Sequence, residues 1–251
     1  SEYSSLRVLE KQYGSHQIRR FLKDALDDYL SGRTREQQKE LPLMFNENQQ
    51  YIHYKKGSLV LYAMSDYLGE KKFNNILSEY IGKVAFQEPP YTTSVELVDH
   101  IEKRTPDSLK YLIDDMFKTI TLYDNYIEKA EYKINPDSTY TVNIEAIVSK
   151  YKSDEKGKRR YAFNNDSLMK VVDKDTIKSW PMKDYIEIGV FTEIEKDGET
   201  IEETLILKKV LIDSIYNTFE FKVDKKPTEV GIDPYNKLID TKSGDNRKEL
   251  E

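Results

Sequence analysis

The sequence predicts an α+β protein in which an N-terminal antiparallel α-helical domain is followed by an all-β antiparallel sandwich. Up to about Thr121 the apolar residues recur at the spacing of a helix, and beyond it they alternate with polar residues at the two-residue period of a strand. Turn-forming residues separate several short alternating runs, as in a sandwich. We therefore expect a helical segment over 1–122, a β-sandwich over 123–240 and a polar, frayed tail over 241–251.

Glycines and capping residues mark the ends of the predicted helices. The first covers Glu2–Tyr13 before Gly14, and the second carries one apolar face from Ile18 to Leu30, with Gly32 as its terminating residue. A charged loop, Arg33–Glu40, follows. Two later helices are predicted over Gln49–Leu68, before Gly69, and over Glu70–Ile81, before Gly82. Two more are predicted to begin at the capping box that starts at Thr93 and at Pro106.

The strands of the second half are predicted from alternation and from the turns between them. The turn Asn135–Ser138 joins two alternating runs into a hairpin. Further strands are expected around Ile186–Ile194, around Leu205–Leu207 and around Phe219–Val223.

Composition excludes several classes of function. The net charge of −6 is spread over interspersed acidic and basic residues, so no basic face for nucleic acid is expected. No apolar run approaches the roughly 20 residues that span a bilayer, so no membrane segment is expected in this chain. The chain has no cysteine, which excludes disulfides and thiolate zinc sites but leaves the compartment undetermined.

No complete catalytic constellation is present in the sequence. The three histidines, His16, His53 and His100, are far apart, and no H-E-x-x-H pair of zinc ligands occurs. The acidic pairs Asp27-Asp28 and Asp114-Asp115 fit solvated helix faces better than acid–base catalysis. We therefore predict no metal site within this chain.

One segment carries a recognisable pattern, from Tyr51 to Phe73. Tyr54-Lys55-Lys56-Gly57 is followed by an apolar helix and by Leu68-Gly69-Glu70. This pattern resembles the Y-x-K-G segment of the gluzincin zinc aminopeptidases, the family of aminopeptidase N and leukotriene-A hydrolase. The runs Tyr185–Phe191 and Gly231–Asp240 are similar to the terminal β-domain of bacterial members that are often fused to transporter permease segments.

The resemblance implies a catalytic role for Tyr54. In the family the matching tyrosine donates a hydrogen bond to the oxyanion that forms at the scissile carbonyl of a peptide substrate. A phenol keeps its proton at neutral pH, and one such donor contributes ~2.7–4 kcal/mol to transition-state stabilisation. Tyr51 and His53 flank Tyr54 and are candidates for lining the same substrate pocket, although packing roles are open for both.

The resemblance also implies that the zinc-binding half of such an enzyme is missing here. The family holds its zinc with the two histidines of H-E-x-x-H and a glutamate further on, a few residues before a stretch that resembles Glu2–Leu6. We therefore expect this chain to be the C-terminal part of a zinc aminopeptidase and to be inactive alone. Zinc and the peptide substrate would be bound by the parent protein. An extracytoplasmic or membrane-associated localisation would be determined by parts outside this chain.

Two alternatives remain open from the sequence. The parent protein could lack a zinc motif, in which case both domains would form a non-catalytic binding module for a protein or ligand. The second domain could instead be a carbohydrate-binding sandwich with a helical spacer, which requires a strip of exposed, coplanar aromatic rings.

Overall fold

The fold is α+β, with helices in the N-terminal half and two antiparallel sheets in the C-terminal half, as the sequence predicts. A computed structural model describes residues 1–161, 182–196 and 198–250. The chain forms two compact units. The first contains Ser1–Thr121, Lys152–Arg159 and Lys237–Ile239, and the second contains Leu122–Tyr151, Arg160–Asn236 and Asp240–Glu251.

The first unit is built from antiparallel helices that bury one apolar face each. The bounds of the α-helices are α1 Glu2–Tyr13, α2 Ile18–Arg35, α3 Gly57–Leu68, α4 Glu70–Val84, α5 Ser94–Glu102 and α6 Tyr111–Ile113. Leu22, Leu26 and Tyr29 of α2 are fully buried, at the spacing expected for one helix face. Phe73 of α4 and Ile101 of α5 are also fully buried and complete this core.

Several predicted helix ends are confirmed. Helix α3 ends at Gly69, whose φ of 86° lies in the region that only glycine adopts without strain. The Thr93 side chain accepts a hydrogen bond from the backbone amide of Glu96, 3.4 Å away, and caps α5. The helix predicted after Pro106 is broken into short pieces, of which α6 is one and a wide turn over Asp114–Lys118 is another.

Gly32 and Gly82 do not end their helices, contrary to the sequence-based prediction. Helix α2 continues to Arg35 and α4 continues to Val84, so both glycines lie inside helices. Gly32 has a packing role, since a Cβ at this position would lie 2.5 Å from the Cβ of Tyr51. The missing side chain of Gly32 therefore lets α2 approach the segment that precedes α3.

Replacing Gly32 by alanine is expected to destabilise the protein, although alanine is the better helix former. The added methyl group would overlap atoms next to the Tyr51 backbone, which cannot move cheaply, so the free energy of unfolding should fall by about 1–3 kcal/mol. Gly82→Ala is the matched control, because a Cβ at Gly82 would meet no described atom within 4 Å. It should raise stability by about 0.5–1 kcal/mol. Urea unfolding of both variants checks this, and equal stabilisation by both would contradict it.

Within the described residues, the second unit contains two four-stranded antiparallel sheets. Its strands are β1 Ile120–Ile134, β2 Tyr140–Ser153, β3 Arg159–Tyr161, β4 Asp184–Lys196, β5 Glu199–Ile212, β6 Tyr216–Val223, β7 Glu229–Ile232 and β8 Arg247–Glu249. In one sheet β2 pairs with β1, β3 and β6, and the other has the order β5-β4-β7-β8. The hairpin predicted around the turn Asn135–Ser138 is present as β1 and β2.

The expected frayed tail over 241–251 is wrong for part of this segment. Strand β8 pairs with β7, with Gly231 opposite Arg247. The Arg247 guanidinium lies 4.1 Å from the centre of the Phe191 ring and forms ion pairs with Glu202 and Glu229. A cation stacked on an aromatic face and paired with two carboxylates holds this polar segment in place.

None of the helices within the described ranges is both long enough and apolar enough to cross a membrane.

Candidate functional site at the start of helix α3

The segment with the recognisable pattern begins with a wide helical turn instead of the regular helix predicted from Gln49. Residues Tyr51–Lys56 form a π-helical turn that leads directly into α3. The Gln49 carbonyl accepts hydrogen bonds from the backbone amides of Ile52 and His53, 3.0 and 3.2 Å away. Turns of this kind are rare and are found frequently at functional sites.

Tyr54 and His53 lie together on the outer side of this π turn. Tyr54 is 45% exposed, and the centres of its ring and the His53 ring are 4.4 Å apart. The side-chain amide of Asn46 lies 3.0 Å from Nδ1 of His53. Because an amide nitrogen only donates, it orients the imidazole beside Tyr54. The structure thus brings two of the three predicted site residues together and leaves the Tyr54 side chain accessible.

Tyr51, the third predicted site residue, is directed into the unit. It is half-buried, its ring stacks on the Tyr29 ring at 5.9 Å between centres, and its Cβ touches Gly32. Burial, reinforced by the carboxylates of Glu40 and Glu36, raises the pKa of Tyr51. The structure therefore shows Tyr51 packed against α2, in the packing role that the sequence left open.

A buried lysine occupies the inner side of the π turn. Lys56 is fully buried, and its Nζ lies 5.4 Å from the centre of the Tyr29 ring. Within the described part of the chain, no acceptor lies within hydrogen-bonding distance of this ammonium group. Burial lowers the pKa of Lys56 to about 8, an effect that the nearby Glu40 carboxylate partly opposes. A buried lysine without a hydrogen-bond partner is costly and therefore unusual.

Lys56 belongs to a group of polar side chains that we call the Glu40 cluster. Its members are Tyr29, Arg33, Glu40 and Lys56. Glu40 is 4% exposed and accepts hydrogen bonds from the Tyr29 hydroxyl and from Nε of Arg33. Arg33 also donates to the Ser153 hydroxyl at 2.7 Å. The cluster thus combines two cationic side chains with one carboxylate.

Sequence reasoning missed the Glu40 cluster because Arg33 and Glu40 lie in what was predicted to be a charged loop. Their opposite charges look like solvated surface residues in the sequence. Only the continuation of α2 to Arg35 places Arg33 on the same side as Tyr29. Two lysines in succession, Lys55 and Lys56, likewise give no sign that one is buried and the other forms a surface ion pair with Asp28 at 2.6 Å.

Among the described residues, no group of three or more His, Cys, Asp or Glu side chains is arranged to hold a metal ion. His100 lies in α5 with Nε2 3.0 Å from the Ile76 carbonyl, while His53 is bound by Asn46. A cleft of about 710 Å³ lies along α4, between residues such as Lys72, Glu79 and Arg104, and Tyr54 is not among its lining residues.

Comparison with known proteins identifies no family for this chain. No protein-family model matches it, and no curated protein matches it significantly.

Replacing Lys56 by methionine is expected to stabilise the protein. The folded-state pKa of about 8 lies below the ordinary 10.5, so the unfolded chain binds more protons between these values. The penalty of the buried charge is therefore fully present below about pH 8 and disappears as the pH rises towards 10.5. At pH 7, Lys56→Met should raise the free energy of unfolding by about 3 kcal/mol, with the gain shrinking at alkaline pH.

The control for this stability measurement is Lys55→Met, which removes a lysine on the outer side of the same turn. Its surface ion pair with Asp28 contributes little, so the change should stay within about 0.5 kcal/mol at every pH. Denaturant unfolding at several pH values between 6 and 10 compares the two variants. A Lys56→Met protein that is less stable than the parent at pH 7 would contradict the assignment of Lys56 as an uncompensated buried charge.

Proposed function

We propose that this chain is the C-terminal part of a zinc-dependent aminopeptidase, which removes N-terminal residues from peptides, and that Tyr54 is its oxyanion-stabilising residue. The observation that carries the proposal is the Y-x-K-G pattern with its tyrosine exposed at the start of α3. A tyrosine in such a position can contact a substrate that binds outside the helical unit.

The surroundings of Tyr54 suit a hydrogen-bond donor that must be oriented before the reaction. The π turn is held from within by Lys56 and Tyr51, and the Tyr54 ring rests against His53. Donors that are fixed in advance stabilise a developing negative charge more than donors that must reorganise. Tyr54 would donate a hydrogen bond from its hydroxyl group to the oxyanion of the tetrahedral intermediate.

The family resemblance implies that the metal ligands would lie in a part of the parent protein outside this chain. The helical unit would form one wall of the substrate cleft, and the β unit would have a structural or docking role. The isolated chain is expected to hydrolyse no peptide.

A non-catalytic binding module is the alternative, and one surface feature favours it. Phe86 is fully exposed and Tyr91 is 71% exposed, in the segment between α4 and α5. Exposed apolar patches mark surfaces that contact a partner, and these two aromatic side chains are candidates for such a patch. The carbohydrate-binding alternative gains no such support, because among the described residues of the second unit Tyr216 is the one exposed aromatic side chain.

Replacing Tyr54 by phenylalanine in the full-length protein tests the proposal. Loss of the hydroxyl should lower kcat for an aminoacyl amide by on the order of a hundredfold or more, because it removes one oxyanion donor. Tyr13→Phe is the control, since Tyr13 lies in the same unit with a similar exposure of 50%. It should leave kcat unchanged.

Metal content is recorded in the same preparations. A full-length protein with about one zinc per chain, active except as the Tyr54→Phe variant, would support the proposal. A full-length protein that holds no zinc and cleaves nothing would instead favour the binding module. An active enzyme in which Tyr54→Phe retains full kcat would refute the role of Tyr54.

A further inference from the structure

We infer that Lys56 is a positioning residue whose buried ammonium group, held in the Glu40 cluster, fixes the π turn so that Tyr54 faces outward. The catalytic consequence of this positioning rests on the proposed function of Tyr54. The effect of Lys56 on the geometry of the turn is inferred from the structure alone.

The π turn has one buried side and one exposed side. Ile52 and Lys56, four residues apart, are both fully buried. Tyr54, midway between them, is 45% exposed. Any rotation of the turn that moved Tyr54 inward would carry Lys56 or Ile52 outward. The exposure of the Tyr54 side chain therefore depends on how deeply the Lys56 side chain is buried.

The groups that face Lys56 offset part of the cost of burying its charge. The Tyr29 ring presents its face to Nζ from α2, and Glu40 supplies a carboxylate that is itself held by Tyr29 and Arg33. The Arg33 guanidinium opposes the attraction, and Tyr51 is the titratable neighbour on the same turn. The attraction of a cation to an aromatic ring depends on its position over the ring face, unlike the burial of an apolar side chain.

An apolar residue at position 56 would make the protein more stable, but it would fix the orientation of the turn less strictly. Strained backbone is concentrated at functional sites. A π turn is less favourable than the α-helix that follows it. Without the charge, the turn is expected to relax towards α-helical geometry, which rotates Tyr54 away from His53.

The first test uses this chain and measures geometry without activity. In NMR spectra, nuclear Overhauser contacts between the Tyr54 and His53 rings should be strong in the parent chain and in Lys55→Met. They should be lost or greatly weakened in Lys56→Met, although that variant is folded and more stable. Undiminished contacts in Lys56→Met, or a Lys56→Met chain that fails to fold, would overturn the inference.

The second test uses the full-length protein and measures peptidase kinetics against pH. Lys56→Met should lower kcat at pH 7 on the order of tenfold with KM nearly unchanged. A small displacement of the Tyr54 hydroxyl weakens its hydrogen bond in the transition state and has little effect on substrate binding. The parent should lose kcat as the pH rises through about 8, whereas Lys56→Met should lack this inflection. Lys55→Met should behave as the parent does.

The outcomes separate the two proposals. If Lys56→Met keeps the parent kcat and the parent pH profile while Tyr54→Phe is inactive, the positioning role is refuted and the function of Tyr54 stands. If ring contacts are lost in Lys56→Met but Tyr54→Phe is fully active, the geometric role stands and the proposed function fails.

Discussion

The close approach of α2 to the π turn is the constraint on which the rest of the helical unit depends. Gly32 permits this approach, since any larger residue would meet the Cβ of Tyr51. The approach brings the Tyr29 ring against Tyr51 on one side and over Lys56 on the other. A small residue in the last turn of one helix therefore permits close packing against the segment that precedes the next helix.

The two sides of this short turn differ in chemistry and in exposure. Its inner side carries a buried charge that destabilises the folded state at neutral pH, and its outer side carries an accessible tyrosine beside an oriented imidazole. An interior made only of apolar side chains would be more stable. Within the Glu40 cluster, Lys56 instead lies over the Tyr29 ring, a contact whose strength depends on the position of the cation.

The sequence predicted the parts of the fold that depend on periodicity and local caps. The face of α2, the glycine at the end of α3 and the change of period before β1 are signals of this kind. The role of Gly32 could not be read, because a glycine that ends a helix and one that admits a neighbouring side chain look alike in sequence. The burial of Lys56 was equally hidden, since it follows from contacts with Tyr29 and Glu40, distant along the chain. The sequence pattern singled out Tyr54, but gave no sign of the π turn that exposes it.

The measurement that tests the central claim most directly is an NMR titration of the Lys56 side-chain amine in this chain, with Lys55 in the same spectra as reference. The account predicts that Lys56 loses its proton near pH 8, because its ammonium is buried without a hydrogen-bond partner among the described residues. Lys55, paired with Asp28, should keep its proton to a higher pH than an ordinary lysine. A Lys56 titration at or above the ordinary 10.5 would show a solvated or fully paired amine and would contradict the account.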